Sequence, residues 1–291
     1  MDYQGQFRGA ALALGVPDDE ISGFGKYLRL SIRLSGGSGG VLVGQFGGLP
    51  RLPVDEDWPS GRAGQLPFIF SVDCAALPRV DGSGLPADGA LLFFLDHEND
   101  YLAGGTGDQG YARVVYVPAG TDTAVAEPLN PEFIGQQWDV SASLLAEFPD
   151  WFATNHDEDE DDLSPFQQQL ARDLERDVPH LDDLRALAHD LWPPDEGLAS
   201  AYLGGYVDDE VITSIAEQTL AGREKAGEIA IPVAKWYSHV EEEKHRLTSE
   251  WVSLARFPVD DEFYYGSFVI RHEDLASGRL DKAYSVIELS E

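Results

Sequence analysis

The chain has 291 residues, of which 52 are Asp or Glu and 20 are Lys or Arg, giving a net charge of −32. Such a surface repels nucleic-acid phosphate and anionic lipid and attracts basic proteins or metal cations, so the expected partners exclude nucleic acid and membrane. Apolar residues make up 43% and charged residues 25%, the composition of a globular protein. The single cysteine, Cys74, excludes an intramolecular disulfide. No apolar run has the length of a membrane span, and no charged-then-apolar leader opens the chain. A cytoplasmic location is therefore the expectation.

Taken in chain order, residues 6–15 carry Phe7, Ala10, Ala11 and Leu14 at helical spacing before Gly15 and Pro17, which predicts a short helix. Residues 27–34 alternate, with Leu28, Leu30, Ile32 and Leu34 on one side and Arg29, Ser31 and Arg33 on the other. That period of two predicts a half-buried strand. After the turn at 36–40, Val41, Leu42 and Val43 are expected to return as its antiparallel partner. Further strands are predicted at 68–72, 90–95 and 112–117 from β-branched and aromatic content.

The stretch 121–163 is rich in Pro, Asp and Glu and ends in six adjacent carboxylates, which predicts a solvated loop. Ser164, Pro165 and Gln167 then have the order of a capping box opening a helix. Its apolar stripe is Phe166, Leu170 and Leu174. A second helix carries Leu181, Leu184, Ala188 and Leu191 and is stopped by Trp192, Pro193 and Pro194; a third is expected over 210–220. Strands are predicted to resume near Trp236 and at 251–257, 267–271 and 283–289, the last an edge.

One pattern is written twice. Phe46-Gly47-Gly48-Leu49-Pro50, Trp58-Pro59, the run 68–73 and then Gly89 with the apolar residues after it form the first copy. Leu203-Gly204-Gly205-Tyr206, then 251–256, then Gly266 through Ile270 form the second. The first copy resembles the YwqG-like proteins, a bacterial family of unknown function, through its GG-x-P-x-x-P string, its Trp-Pro pair, Phe68 to Asp73 and Leu85 to Phe94. The resemblance implies a cytoplasmic α+β protein with an internal duplication. Three positions depart from the family pattern: Ser71 stands where a Gln is usual, Arg256 at the equivalent place in the second half, and Tyr265 where an acidic residue is usual.

The expected fold class is thus α+β, with two β-rich repeats of mostly antiparallel sheet packed as one pseudo-symmetric unit with inserted helices. Residues 1–291 form one unit: 20–120 the first repeat, 121–200 an acidic loop and helical insertion, and 201–291 a second, degenerate repeat.

Motifs with chemical potential argue mostly for bland roles. Gly36 to Gly40 matches the nucleophile-elbow string, but a strand pattern follows where a helix is needed. Gly105 to Gly110 matches a dinucleotide fingerprint and likewise runs into a strand pattern. The Asp157, Asp159, Asp161 run lacks both the Gly and the closing Glu of a calcium loop. Asp96, His97, Glu98, Asn99 and Asp100 gather metal-ligand side chains with no further ligand in sight, and His189 is expected to be a partly buried helix residue. Cys74 reads as a small buried apolar residue.

No catalytic constellation, metal site or cofactor is predicted. Two functional expectations remain beside a bland third, a halotolerant housekeeping fold whose charge concerns hydration only. The favoured one is a non-enzymatic binding protein, such as an acidic inhibitor or immunity-type partner of a basic protein. The alternative is a small-molecule-binding protein or hydrolase-like enzyme using a cleft between the repeats, with ligand-binding candidates Arg51, Trp58, Asp73, Arg256 and Asp260. In that alternative Arg51 and Arg256 anchor an anion, and Asp73 and Asp260 supply acid/base groups.

Overall fold

The computed structural model describes residues 2–37, 40–99, 110–152, 163–194, 199–259 and 264–289. The elements run α1 (Tyr3–Ala13), α2 (Asp18–Phe24), β1 (Arg29–Gly36), β2 (Leu42–Phe46), β3 (Arg51–Pro53), β4 (Phe68–Asp73), β5 (Ala90–Leu95), β6 (Ala112–Val117), β7 (Thr123–Val125) and β8 (Trp138–Glu147). Then come α3 (Pro165–Asp177), α4 (Leu181–Leu191), β9 (Ala201–Gly204), α5 (Asp209–Lys225), α6 (Trp236–Thr248), β10 (Trp251–Val259), β11 (Tyr264–Arg271), α7 (His272–Ala276) and β12 (Tyr284–Leu289). The fold is α+β, as the sequence predicts.

Ten strands form one antiparallel sheet in the order β12-β11-β10-β9-β1-β8-β2-β4-β5-β6, with four strands on each side of the central pair β1 and β8. The end strands β12 and β6 approach each other, so the sheet curls until it nearly closes. Curling gives the sheet an interior. The alternation read in β1 puts Ile32 and Leu34 inside, where they are at most 1% exposed. A row of rings crosses that interior: Phe46 stacks on Phe70 (5.1 Å), Phe70 on Phe93 (4.3 Å), and Phe93 meets Phe268 edge-on (5.3 Å). Each such pair adds about 0.5–1.5 kcal/mol beyond the area it buries. Cys74 lies in this core, and burial, then the charge of Asp73, pushes its thiol up to about 11.

Three satellite layers cover what the sheet leaves open. Helices α1, α2 and α4 bring Phe7, Phe24, Leu184 and Trp192 together, and Leu144 of β8 touches both this layer and the sheet interior. Helices α5 and α6 pack against Trp251, Val269 and Val286. The short pair β3 and β7 brings Leu52 into a cluster with Trp58, Phe68 and Phe94.

Several sequence expectations are met closely. Helix α3 begins at the predicted capping box: Ser164 Oγ accepts from the Gln167 N–H (3.2 Å), and the Gln167 side chain accepts from the Ser164 N–H (3.0 Å). Helix α4 follows with Leu184 and Ala188 fully buried. His189 sits against the ring of Phe148, with its imidazole pushed below the ordinary value by burial and then by Arg185.

Three expectations are corrected. Residues 42–46 do not return against β1; β8 lies between them, pairing with both. β1 and β2 are thus not a hairpin pair. Residues 138–147, read as part of an irregular acidic segment, form a ten-residue strand at the centre of the sheet. Its inward residues Val140 and Ala146 are 0% and 5% exposed, but Ser and Ala at neighbouring positions give a weak β signal. Residues 236–248 are helical, not extended. Val240 and Leu247 share a buried face, and Glu243–Arg246 (2.7 Å) and Lys244–Glu241 (3.3 Å) pair at helical spacing. The carboxylate run 157–162, the glycine string 105–109 and Ser38 lie outside the described residues.

Candidate functional site

The first Gly-Gly turn follows β2 and the second follows β9, strands that occupy matching places either side of β1 and β8. The first is a closed structural turn: the Gln45 side chain donates to the Gly47 and Leu49 carbonyls (3.0 and 3.1 Å). The second borders two cavities, and the side chain between them is Arg29.

Arg29 opens β1 and pairs in register with Glu147, the last residue of β8. Its guanidinium lies 4.0 Å from the centre of the Tyr206 ring and donates to the Thr248 carbonyl of α6 (2.7 Å). Glu147 is occupied elsewhere, accepting from the Tyr206 N–H (2.9 Å), and Tyr206 Oη donates to the Tyr27 carbonyl (2.9 Å). Among the described residues no carboxylate lies within 4.0 Å of Arg29, which is held by the Thr248 and Gly205 carbonyls and an aromatic face. Burial draws its guanidinium below the ordinary value, opposed by Tyr206 and Glu147. An arginine is nonetheless charged at neutral pH.

The turn that presents Tyr206 requires glycine. Gly205 has φ +83°, and a Cβ there would stand 2.1 Å from Glu147 Oε2. The close approach of Glu147 to the turn is what lets its carboxylate reach the Tyr206 N–H.

The larger cavity, of about 530 Å³, lies at the mouth of the sheet interior. Its floor is Leu30, Ile32, Leu203 and Val252; Phe7, Ile21 and Trp192 of the helical cap form one wall and the 80–85 segment another. Among the described residues, Arg8, Lys26 and Arg29 line it beside His272 against one carboxylate, Asp81, an inversion of the chain's overall charge. Arg8 is paired with Asp18 (2.8 Å), so the cations of this lining without an ion-pair partner among the described residues are Lys26 and Arg29. His272 begins α7; burial, then the charge of Arg29, pushes its imidazole below the ordinary value. A smaller cavity of about 300 Å³ lies on the other side of Arg29, among α3, α5 and α6, and shares Lys26 and Arg29 with the first.

Of the residues singled out from the sequence, Arg51, Trp58, Asp73 and Arg256 lie apart from both cavities. Arg51 is exposed on β3 and donates to Thr123 Oγ1 (3.2 Å) and the Thr123 carbonyl (2.7 Å). Trp58 is 8% exposed and donates from Nε1 to the Leu66 carbonyl (2.8 Å) beneath that short sheet. Asp73 ends β4 and accepts from the Ala75 N–H (2.9 Å). Arg256 lies on β10, 3.6 Å from Asp208, with the Tyr202 ring 5.0 Å and the Tyr265 ring 5.8 Å away. Arg51 and Trp58 thus share one cap, whereas Asp73 and Arg256 stand on strands in opposite halves of the sheet. Asp260 lies outside the described residues. The 96–99 turn is local: Asn99 donates to both Asp96 carboxylate oxygens (3.0 Å each).

Among the described residues no group of three or more His, Cys, Asp or Glu side chains could hold a metal ion. No described helix is long and apolar enough to cross a membrane. Sequence reasoning missed Arg29 because it reads as one of three polar residues on a strand's outer side. The usable signal was the second Gly-Gly-Tyr turn, whose tyrosine faces it.

The chain belongs to the family described as Domain of unknown function (DUF1963), whose model matches residues 44–288. The matched region begins within β2, so α1, α2 and β1, with Arg29, precede it. No curated protein matches the chain.

Proposed function

We propose that this member of the DUF1963 family is a small-molecule-binding protein whose ligand is an organic anion with an apolar body, held in the cavity of about 530 Å³ at the mouth of the sheet interior. The observation that carries the reading is Arg29: a half-buried cation beside an apolar cavity, with no carboxylate within ion-pair distance among the described residues. A cation in that setting gains more from an incoming anion than it would in water. Lys26 adds a second charge at the rim, and Leu30, Ile32, Leu203 and Val252 receive the apolar part. The cavity volume falls in the range of small-molecule sites. In this reading the matching Gly-Gly turns are relics of a duplication in which the second turn acquired the ligand.

The test uses decanoate, decanol and decylamine as probes of one apolar body with three head groups. Binding is read by thermal stabilisation and calorimetry. Decanoate should bind roughly tenfold or more tightly than decanol, and Arg29→Gln with Lys26→Gln should remove that preference. Equal binding of acid and alcohol would sink the proposal.

A second reading rests on the net charge of −32: the surface suits a basic protein partner, as an inhibitor or immunity-type protein would need. Such an association must weaken steeply as salt rises from about 0.05 to 0.5 M. A captured basic partner whose affinity ignores salt would exclude it.

A further inference from the structure

We propose that the smaller cavity is a second binding site, and that it takes a zwitterionic molecule of the α-amino acid class with an aromatic or large apolar side chain. This does not rest on the organic-anion reading of the larger cavity. The charges on its walls are separated. From the α2–β1 junction come Lys26 and Arg29, both positive. From α5 and α6 come Asp209 and Glu241, which converge on Lys244: Nζ lies 2.7 Å from Asp209 Oδ2 and 3.3 Å from Glu241 Oε1. Two carboxylates around one ammonium leave that wall with an excess negative charge. Arg246, also at this cavity, is already matched by Glu243 (2.7 Å) and by Glu250.

A ligand satisfying both walls must carry a negative and a positive group a short distance apart. An α-amino acid does so, with its carboxylate toward Arg29 and Lys26 and its ammonium toward Glu241 and Asp209. The rest of the lining suits its side chain. Tyr27, Trp151 and Phe166 contribute aromatic faces, and the Phe166 ring is held edge-on by His245 at 5.5 Å. The volume of about 300 Å³ is at the low end for small-molecule sites, which matches a ligand of this size.

The site is built, not incidental. The Lys244 side chain is 9% exposed, and Ser164, which caps α3, also donates to Glu241 Oε2 (3.3 Å). The charge pair is thereby fixed against the helix that carries Phe166.

The test compares phenylalanine with N-acetylphenylalanine, which keeps only the anion, and phenylalanine amide, which keeps only the cation. Binding is measured by calorimetry and thermal shift on the full chain. Phenylalanine should bind at least about tenfold more tightly than either analogue. Glu241→Gln should remove that advantage over the N-acetyl compound while leaving binding of the N-acetyl compound itself unchanged. Phe166→Leu serves as a second variant and should weaken all three alike. The proposal is overturned if either singly charged analogue binds as tightly as phenylalanine. It is equally overturned if none of phenylalanine, tryptophan and leucine shifts the melting temperature at millimolar concentration. Both cavities share Lys26 and Arg29, but of the two only the smaller is lined by Glu241 and Phe166, so variants there that change phenylalanine binding and leave decanoate binding intact separate the two proposals.

Discussion

Replacing Gly205 by alanine tests the architecture of the Arg29 site directly. Two costs follow from the geometry. The backbone there has φ +83°, a left-handed conformation that costs an L-residue about 1–2 kcal/mol. The new methyl would stand 2.1 Å from Glu147 Oε2, so the carboxylate must withdraw and give up the bond it accepts from the Tyr206 N–H. A hydrogen bond to a charged acceptor is worth about 1.5–3 kcal/mol. The expected loss is therefore about 2.5–5 kcal/mol. Gly120→Ala supplies the control, because Gly120 has φ +80° but nothing within 4 Å of its would-be Cβ. It should lose only the backbone part, about 1–2 kcal/mol. Urea unfolding followed by tryptophan fluorescence measures both, provided the slopes agree. Equal losses for the two variants would refute the claim that Glu147 is pinned by the turn. A loss in Gly205→Ala that exceeds that of Gly120→Ala, together with weaker decanoate binding, would tie the turn to the placement of Tyr206 beneath Arg29.

Three further outcomes are expected. Ser164→Ala should lower stability by about 0.5–2 kcal/mol through loss of the α3 cap, and Ser164→Thr should restore most of it, as read by thermal melts. Lys244→Met removes the ammonium shared by Asp209 and Glu241 and should cost about 1–3 kcal/mol, a figure kept below that of a fully buried pair because Asp209 is 47% exposed. His272 has a folded-state value below its ordinary 6.5, so the unfolded chain takes up a proton there first as pH falls. Its contribution to stability is present above pH 6.5 and lost as pH falls through the depressed value, and His272→Gln should flatten that part of the pH–stability curve. His189 is shifted the same way and should contribute to the slope that remains in the variant.

Much of the fold was legible in local pattern. The alternation in residues 28–34, the apolar runs of β4 and β5 and the capping box at Ser164 are signals written in adjacent residues, and each became the element it implies. Strand β8 was not legible because its inward residues include small ones, Ala142 and Ala146, which bury well only where two flanking strands already exist. Helix α6 was hidden behind Trp236 and Tyr237, aromatic residues that favour strands in isolation. Its helical pairs, Glu243–Arg246 and Arg246–Glu250, were the better guide.

The site was harder still. The sequence by itself determined that the chain is acidic, that it alternates strands with amphipathic helices, and that Gly-Gly turns recur in two places; these follow from composition, periodicity and spacing. Only the tertiary structure decided which of the two turns borders a cavity. Gly47 and Gly48 close over their own strand through Gln45, whereas Gly204 and Gly205 deliver Tyr206 to an arginine from a strand more than 170 residues earlier. The physical reason is that a cation's environment is set by whatever the chain brings to it from a distance. Arg29 is one basic residue among 20 until β8, β9 and α6 surround it with an engaged glutamate, an aromatic face and a backbone carbonyl.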